Sequence, residues 1–342
     1  MNMGLFFLLS IGAFVLSALI TNKLSSKNVW FNLVDTPVER SLHVFPTPNG
    51  GGLAILISIL VTGALGTYLY PEFNEIGIIA LCMFIVGAIS LYDDLKEVRP
   101  AHRLLVHSIA AVLLISNGFK WSSLELPGIL FYWPEAVVSV VSYLFIVWLI
   151  NLYNFMDGID GFAGGMAVIG FSTFAIFGFI WEEWYFMLLS MIIVSAAAGF
   201  LIFNFPPAKI FMGDIGSSVL GLLVAIFALW GTKERMFPLW ISILIFSPFI
   251  VDATVTLLKR AINKERIWEA HNNHFYQKLT KSGWGHKKTV LIEYLLMIAC
   301  AISALVINFK PAFDKSLMLL AWVVFYVIII IVINKKVHVD NG

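Results

Sequence analysis

The chain has 342 residues, of which 60% are hydrophobic and only 13% charged, and its formal net charge is +1. A water-soluble domain of this length carries about twice that charged fraction, so the composition excludes one. The apolar runs lack strand alternation, and a backbone in lipid must satisfy its own hydrogen bonds, so helices are favoured over a barrel. We therefore predict an all-α, polytopic integral membrane protein that forms a single domain over residues 1–342.

Eleven apolar runs follow one another along the chain, and each approaches the roughly 20 residues that a helix needs to cross the hydrocarbon. The first run has no basic segment before it and is followed by Lys23 and Lys27. That order favours a retained anchor with its N-terminus outside over a cleaved signal peptide. The predicted spans are 4–24, 51–70, 76–92, 101–119, 134–152, 162–180, 184–203, 216–232, 238–259, 288–308 and 315–334.

The distribution of basic residues tests this orientation. Seventeen of the 22 Lys and Arg residues then fall in cytoplasmic loops, and five remain outside. Positive charge collects on the cytoplasmic side of membrane proteins, so we predict the N-terminus outside and the C-terminus in the cytoplasm. The five outside are Lys120, Lys233, Arg235, Lys310 and Lys315.

Acidic residues gather in the same predicted cytoplasmic loops, beginning with "LYDDLKEVRP" at the end of a span. Asp93 and Asp94 are adjacent, and Lys96 follows them. Neighbouring carboxylates repel each other unless a cation lies between them, and Mg²⁺ prefers such oxygen ligands. An ordinary helix cap with a solvated turn explains this pair, taken alone, equally well.

A second stretch, "NLYNFMDGIDGF" at 151–162, places Asn151, Asn154, Asp157 and Asp160 three residues apart. On a straight α-helix each step of three turns the face back by about 60°, so the first and last would point apart. The glycines at 158 and 161 let the backbone leave the helix and return Asp160 to the same cavity. A helix C-cap would explain one glycine and one acid, but not the whole set.

Two further polar stretches complete the pattern. In "NFPPAKIFMGDIGSS", Asp214 precedes an apolar helix whose free N–H groups could bind phosphate, although an N-cap is the simpler alternative. In "HNNHFYQ", His271 and His274 are spaced to share one helical face. No third zinc ligand is evident, so hydrogen bonding to phosphate or sugar is predicted, with ordinary surface histidines as the alternative.

Together these stretches predict a site where a divalent cation meets a phosphorylated substrate, because carboxylates alone would repel phosphate. In their order and spacing they resemble the polyprenyl-phosphate N-acetylhexosamine-1-phosphate transferase family. The resemblance covers about 35–280 and rests on five motifs: "DTPVERSLHVFPTPNGGG" at 35–52, "DD" at 93–94, "NxxNxxDGIDG" at 151–161, "NFPPAKIFMGDIGS" at 204–217 and "HxxH" at 271–274.

The resemblance implies transfer of a sugar 1-phosphate from a UDP-N-acetylhexosamine to undecaprenyl phosphate, with release of UMP. It implies Mg²⁺ as cofactor, with Mn²⁺ as a substitute, and a bacterial cytoplasmic membrane enzyme whose site faces the cytoplasm. The expected partners are the two substrates, membrane lipid and a second copy in a homodimer, without nucleic acid. The active-site loops would be about 25–50, 93–103, 152–161, 204–217 and 260–287.

The family's motifs also imply roles for individual residues. Asp214 and Asp157 would hold the metal, while Asp93 and Asp94 would lie at the lipid phosphate or the metal. Phe211 would stack on uracil, and His271 and His274 would approach the diphosphate or sugar. The remaining candidates for substrate binding are Asn154, Asp160, Asn204, Lys96, Arg40 and His43.

Two mechanisms fit these roles. In the direct route the lipid phosphate attacks the β-phosphorus of the donor, and Asp93 or Asp94 assists deprotonation. In the two-step route an Asp attacks first and forms an acyl-phosphate. The direct route is favoured, because a phosphate oxygen is already ionised near pH 7.

Differences within the family bear on the donor. The muramyl-pentapeptide branch carries a contiguous His run in its last large loop and a Lys three residues after its second Asp. Here the His pair is split, and Lys96 lies two residues after Asp94. The sequence is more similar to the branch that initiates O-antigen or other surface polysaccharides, which predicts UDP-GlcNAc or a 6-deoxy-HexNAc donor. The muramyl enzyme is one alternative, and an ion-coupled transporter, which also places acids at membrane depth, is another.

Overall fold

The structure, a computed structural model, describes residues 3–26, 33–37, 42, 45–69, 75–266 and 272–340. The described chain is almost entirely helical. A π-helical turn at Thr280–Trp284 joins α11 to α12. The helices are α1 (Met3–Leu24), α2 (Gly52–Leu69), α3 (Ile76–Lys96), α4 (Pro100–Ser116), α5 (Glu135–Phe155), α6 (Phe162–Ile180), α7 (Trp184–Asn204), α8 (Gly213–Lys233), α9 (Leu239–Ile245), α10 (Ser247–Ile262), α11 (Phe275–Leu279), α12 (Gly285–Asn308) and α13 (Ala312–Asp340).

Nine helices in the described ranges are long and apolar enough to cross a membrane, and a bent pair could supply a tenth. Two of the eleven predicted spans differ from the structure. The run at 101–119 forms α4, which has only 17 residues. The run at 238–259 forms α9 and α10, which meet at 84°. Pro248 lies in the first turn of α10, where its missing N–H is tolerated. The chain is therefore a multi-pass membrane protein.

Two short antiparallel hairpins depart from the all-α prediction. In the first, β1 (Val34–Asp35) pairs with β2 (Thr47–Pro48). In the second, β3 (Ser123–Leu126) pairs with β4 (Ile129–Tyr132), and Gly128 takes a φ of +80° in the connecting turn. Both hairpins lie between helices, where strand edges need not face hydrocarbon.

Helix α8 is the centre of the bundle. Every residue from Ile215 to Gly231 is buried, and α8 packs against α2, α3 and α5. At its N-terminal end α8 meets the start of α2 almost backbone to backbone, since a Cβ on Gly52 would lie 2.1 Å from the Cα of Gly216. Only glycine permits this approach, which brings the N-termini of the two helices together.

The bundle has two chemically different faces. Helices α1, α3, α5 and α7 end, and α2, α4, α6, α8 and α12 begin, on one side, which we call the carboxylate face. The other side carries the β3–β4 hairpin and is called the hairpin face. All loops predicted to be cytoplasmic, so far as they are described, lie on the carboxylate face. Its assignment to the cytoplasm stays a prediction.

Candidate active site

A pocket of about 270 Å³ opens on the carboxylate face. Its walls come from segments far apart in the sequence, namely both sides of the β1–β2 hairpin, the α5–α6 connection, the approach to α8, and the start of α12. Four of the five loops predicted for the active site contribute to its lining. The polar lining residues are Asp35, Asn49, Asn154, Asp157, Asp160, Asn204, Asp214, Ser217, Asn272, Gln277 and His286.

The α5–α6 connection supplies three of these side chains. Helix α5 ends at Phe155, and the chain turns through 156–161 before α6 begins. Asn154, Asp157 and Asp160 all line the pocket. Asn151, one turn earlier, instead donates a hydrogen bond to the Val147 carbonyl at 2.7 Å. The predicted break in the helix is thus what gathers the later three residues into one cavity.

Asp94 organises the N-terminus of α8. Its Oδ1 accepts the N–H of Asp214 at 3.0 Å, and its Oδ2 accepts the N–H of Ile215 at 3.1 Å. A carboxylate is favourable at this position because the helix dipole and the free N–H groups are both positive there. The expectation that this N-terminus is open to phosphate is therefore wrong for these two N–H groups, because Asp94 occupies them.

Arg103 joins two of the predicted site acids. Its Nη1 donates to Asp93 Oδ2 and also to Asp214 Oδ2, the latter at 2.9 Å. Asp93 additionally accepts the N–H of Val98. A positive charge beside Asp93 and Asp214 is thus supplied by the first turn of α4.

Asp160 and Asn204 hold the loop that leads to α8. Asp160 Oδ2 accepts the N–H of Ala208 at 3.0 Å, and its Oδ1 lies 3.0 Å from His286 Nδ1. Asn204 accepts the N–H of Gly161 at 2.9 Å and donates to the Ile210 carbonyl at 2.9 Å. Both residues line the pocket, and they also fix the connection between α5–α6 and the following loop.

Phe211 lies where the pocket meets a second cavity. The second cavity measures about 440 Å³ and is bordered by Phe45, the Pro206–Pro207 pair and Lys287. Phe211, Asp160 and His286 border both cavities. An aromatic ring at such a junction offers a flat surface on which a base could stack.

Electrostatics in the pocket favour a cation. Burial, and then the negative charges of Asp214, Asp94 and Asp160, raise the pKa of the Asp157 carboxyl to about 8. Each of those carboxylates makes its neighbours harder to ionise, so the pocket holds more acid than its surroundings neutralise. A bound divalent cation would remove this cost.

The donor set fits Mg²⁺ of the kind that works with phosphates. In the described part of the chain, no group of three or more His, Cys, Asp or Glu side chains has the arrangement of a preformed metal site. Mg²⁺ does not need one, because it is usually bound by one or two carboxylates, water and substrate phosphates. Asp157 and Asp214 line the same pocket, with Asn154 and Ser217 joined by a hydrogen bond of 3.1 Å beside them.

Several predicted residues lie elsewhere. His274 is buried, and its Nδ1 lies 3.1 Å from Asp252 Oδ1, away from the pocket lining. Asp252 also accepts the N–H groups of Phe275 and Tyr276 at 3.0 Å, which starts α11 after His274 rather than before it. His274 was predicted to lie on a helical face, and it instead precedes the first turn of α11. Lys96 lies over the ring of Tyr92 on its own helix.

Three other predicted residues, Arg40, His43 and His271, lie outside the described residues. Two residues that pair with the acids of the site, His286 and Arg103, were not predicted. His286 was missed because a histidine after the Gly-Trp-Gly turn carries no motif, although it pairs with Asp160. Arg103 was missed because its contact with Asp214 spans 111 positions of sequence.

Fold and site together define a multi-pass membrane protein with a carboxylate-lined pocket suited to phosphate chemistry. The family model described as "Glycosyl transferase family 4" matches residues 76–232. The chain is 30% identical over 310 residues to a probable undecaprenyl-phosphate N-acetylglucosaminyl 1-phosphate transferase of Bacillus subtilis, covering 89% of this chain and 84% of the relative. It therefore belongs to this family, the polyprenyl-phosphate N-acetylhexosamine-1-phosphate transferases, as its motifs predicted.

Two further relatives show the breadth of the similarity. A decaprenyl-phosphate N-acetylglucosaminephosphotransferase of Mycolicibacterium smegmatis is 27% identical over 337 residues, which cover 90% of this chain and 83% of the relative. A phospho-N-acetylmuramoyl-pentapeptide-transferase of Staphylococcus epidermidis is 28% identical over 264 residues, which cover 72% and 80%. Relatives named for transfer of N-acetylglucosamine 1-phosphate and of phospho-N-acetylmuramoyl-pentapeptide are thus both similar to this chain.

Proposed function

We propose that this protein transfers GlcNAc 1-phosphate, or a 6-deoxy-HexNAc 1-phosphate, from its UDP derivative to undecaprenyl phosphate in a Mg²⁺-dependent reaction that releases UMP. The observation that carries the proposal is the gathering of Asn154, Asp157, Asp160 and Asp214 in one pocket at the carboxylate face. Family membership supplies the reaction class. The product would begin a lipid-linked surface glycan at the cytoplasmic side of a bacterial inner membrane.

The relatives favour GlcNAc over a muramyl-pentapeptide donor. Two relatives named for transfer of N-acetylglucosamine 1-phosphate or phospho-N-acetylglucosamine align with 89% and 90% of this chain, whereas the muramyl relative aligns with 72%. The split His pair and the position of Lys96 point the same way. A pocket of about 270 Å³ that shares Phe211 with a second cavity suits a nucleotide sugar whose base lies near that ring.

The residues of the chain would divide the work between binding and charge control. Phe211 would stack on uracil, and Asp160, Asn204 and His286 would keep the loop beneath it in place. Asp157 and Asp214 would hold Mg²⁺, which when bound neutralises the diphosphate. Arg103 keeps Asp214 and Asp93 oriented until substrate enters. Such positioning and charge neutralisation are most of what phosphoryl transfer requires.

A direct displacement fits this arrangement. An oxygen of the lipid phosphate would form the new bond to the β-phosphorus while the bond to the UMP oxygen breaks. Asp94 already accepts two N–H groups of α8, and Asp93 is held by Arg103 and Val98. These contacts favour orienting roles for both carboxylates, with Asp93 next to Arg103 as the better placed to meet the lipid phosphate.

The test is an assay with purified protein, undecaprenyl phosphate, Mg²⁺ and a panel of UDP-sugars, with the lipid product identified by mass. We expect a polyprenyl diphosphate carrying one N-acetylhexosamine, together with UMP. Asp214→Ala serves as the inactive control that still inserts in the membrane. Product only with the UDP-MurNAc-pentapeptide would show the muramyl enzyme, and the absence of product with every donor would favour a transporter.

A further inference from the structure

A large cavity on the hairpin face is separate from the proposed active site. It measures about 890 Å³ and lies between the β3–β4 hairpin, the end of α8 and the α12–α13 connection. Helix α8 runs from Asp214 near its start to Lys233 at its end. A helix of this length spans about 30 Å, so the two cavities lie on opposite sides of the bundle.

Basic residues converge on this cavity. Of the five Lys and Arg residues that the sequence places on this side, all but Lys310 line it, and one acid, Glu125, lines it with them. The side as a whole is not basic, because the described residues there include seven acids. The lining basic residues are Lys120, Lys233, Arg235 and Lys315, and the acids are Glu75, Glu125, Glu135, Glu182, Glu183, Glu234 and Asp314.

Two of the four cations are partly neutralised by carboxylates. Lys120 Nζ lies 2.8 Å from Glu135, and Lys233 Nζ lies 3.2 Å from Glu75. No ion pair found among the described residues includes Arg235 or Lys315. Arg235 and Lys315 are therefore the two cations of the lining that an anionic ligand would neutralise.

The rim of the cavity is apolar and exposed. The side chains of β4 are more than half exposed, with Ile129 at 60%, Leu130 at 55% and Tyr132 at 68%. Trp181, also on the rim, is 45% exposed. Exposed aromatic and apolar side chains are typical of the membrane interface, where part of a side chain contacts hydrocarbon and the rest contacts water.

We propose that this cavity binds the phosphate headgroup of an anionic membrane lipid, in the leaflet opposite the active site. Arg235 would bind the phosphate through its planar guanidinium and Lys315 would add a second charge, while the acyl chains lie along the hairpin. A lipid, rather than a soluble phosphate, accounts for the exposed β4 side chains beside the cations. The site is independent of the proposed transferase reaction.

The test measures lipid binding directly on the full chain. Detergent-purified protein is titrated with phosphatidylglycerol or phosphatidylcholine of matched chains and examined by native mass spectrometry, with inorganic phosphate as competitor. A basic residue near an anionic lipid changes its affinity by about fivefold, so Arg235→Gln with Lys315→Gln should lose about 25-fold for phosphatidylglycerol. Lys310→Gln, on the same side but outside the cavity, should bind as the wild type does.

The outcomes separate the alternatives. Selective retention of phosphatidylglycerol by the wild type and by Lys310→Gln, with loss in the double variant, supports the site. Equal binding of phosphatidylcholine, or undiminished binding of phosphatidylglycerol by the double variant, overturns it. Displacement of the lipid by low millimolar inorganic phosphate would show a site for a soluble anion and overturn the lipid assignment. Thermal unfolding of the three proteins verifies that each variant is folded.

Discussion

The Nη1 atom of Arg103 lies 2.9 Å from Asp214 Oδ2, although Arg103 belongs to the first turn of α4 and Asp214 to the first turn of α8. Both side chains are about one-third exposed, at 32% and 33%. The same Arg103 nitrogen also contacts Asp93. One guanidinium therefore balances two carboxylates, and its removal leaves them facing each other.

We expect Arg103→Gln to lower the stability of the metal-free protein by about 1–2 kcal/mol, because a partly exposed charged hydrogen bond is lost and like charges remain. Mg²⁺ should restore more stability to the variant than to the wild type, since the cation replaces the missing charge. Thermal unfolding in EDTA and in Mg²⁺ measures both effects. Arg99→Gln, exposed at the start of α4, is the matched control. Equal melting of wild type and Arg103→Gln in EDTA would contradict the bridging role.

The sequence predicted those parts of the molecule that depend on local pattern. Apolar length identified the helices, and the glycines of the α5–α6 connection correctly indicated that Asn154, Asp157 and Asp160 share a cavity. Contacts between distant segments could not be found in this way. The Asp252 carboxylate that starts α11 and buries His274 is 22 positions away from that histidine, and no spacing rule connects them.

The α9–α10 bend and the β3–β4 hairpin were missed for similar reasons. The bend of 84° between α9 and α10 interrupts a continuous apolar run, and only Pro248 marks it. The β3–β4 hairpin lies between the predicted spans 101–119 and 134–152, and its strands were missed because the second strand is apolar throughout and shows no alternation. At both places a proline or a Pro-Gly pair indicates the bend or turn, whereas hydropathy alone does not.

Asp157→Asn should abolish UMP release. It should also change how the free energy of unfolding depends on pH. The folded wild type keeps this carboxyl protonated up to a pKa of about 8, whereas the unfolded chain releases the proton near pH 4. The free energy of unfolding then falls as pH rises between these values, by roughly 1.4 kcal/mol per pH unit for one group. Asparagine does not titrate, so the variant should lack this loss.

Thermal unfolding in EDTA at pH 5, 6.5 and 8 measures the difference. The melting temperature of Asp157→Asn should exceed that of the wild type by more at pH 8 than at pH 5. Asp314→Asn, at an exposed acid on the hairpin face, should keep the wild-type slope. A constant difference across the three pH values would show that Asp157 does not carry the raised pKa.

Phe211→Ala should raise the KM for the UDP-sugar between about 5-fold and 100-fold, because stacking of a base on an aromatic ring contributes roughly 1–3 kcal/mol. Phe211→Tyr keeps the ring and should remain within about twofold of the wild type. The KM for undecaprenyl phosphate should not change in either variant. Steady-state kinetics with each substrate varied in turn decides the matter, and an equal effect on both substrates would place Phe211 outside the uracil site.

His286 and His274 should behave in opposite ways when each is replaced by alanine. His286 borders the pocket and pairs with Asp160, so His286→Ala should reduce kcat/KM by at least about tenfold with little effect on melting. His274 is buried against Asp252, so His274→Ala should cost about 1–3 kcal/mol of stability while the folded fraction retains its kcat. Activity normalised to folded protein, with melting curves for each variant, distinguishes the roles. Loss of kcat in fully folded His274→Ala would show that His274 acts in the active site.

Gly158 is held against Tyr276, and this contact offers a test of how tightly the α5–α6 connection is built. A Cβ at position 158 would lie 2.1 Å from the hydroxyl of Tyr276, and the next contacts would be at 3.1 Å. Gly158→Ala must therefore displace either the buried Tyr276 side chain or the turn that carries Asp157, and we expect a loss of about 1–3 kcal/mol in stability and of most of the activity. Gly77→Ala, where a Cβ would meet nothing within 4 Å, is the control.

Tyr276→Phe removes the hydroxyl oxygen with which a Cβ at position 158 would clash. The same change removes the hydrogen bond from Tyr276 to the Phe155 carbonyl, which costs about 1 kcal/mol of stability. The double variant Gly158→Ala with Tyr276→Phe should then be more stable than the sum of the two single effects predicts, because the second change relieves the first. Melting temperatures of the four proteins give the coupling, and UMP release shows whether the turn has returned to its place. Strict additivity would mean that the alanine is accommodated by another movement and that the close contact does not position Asp157.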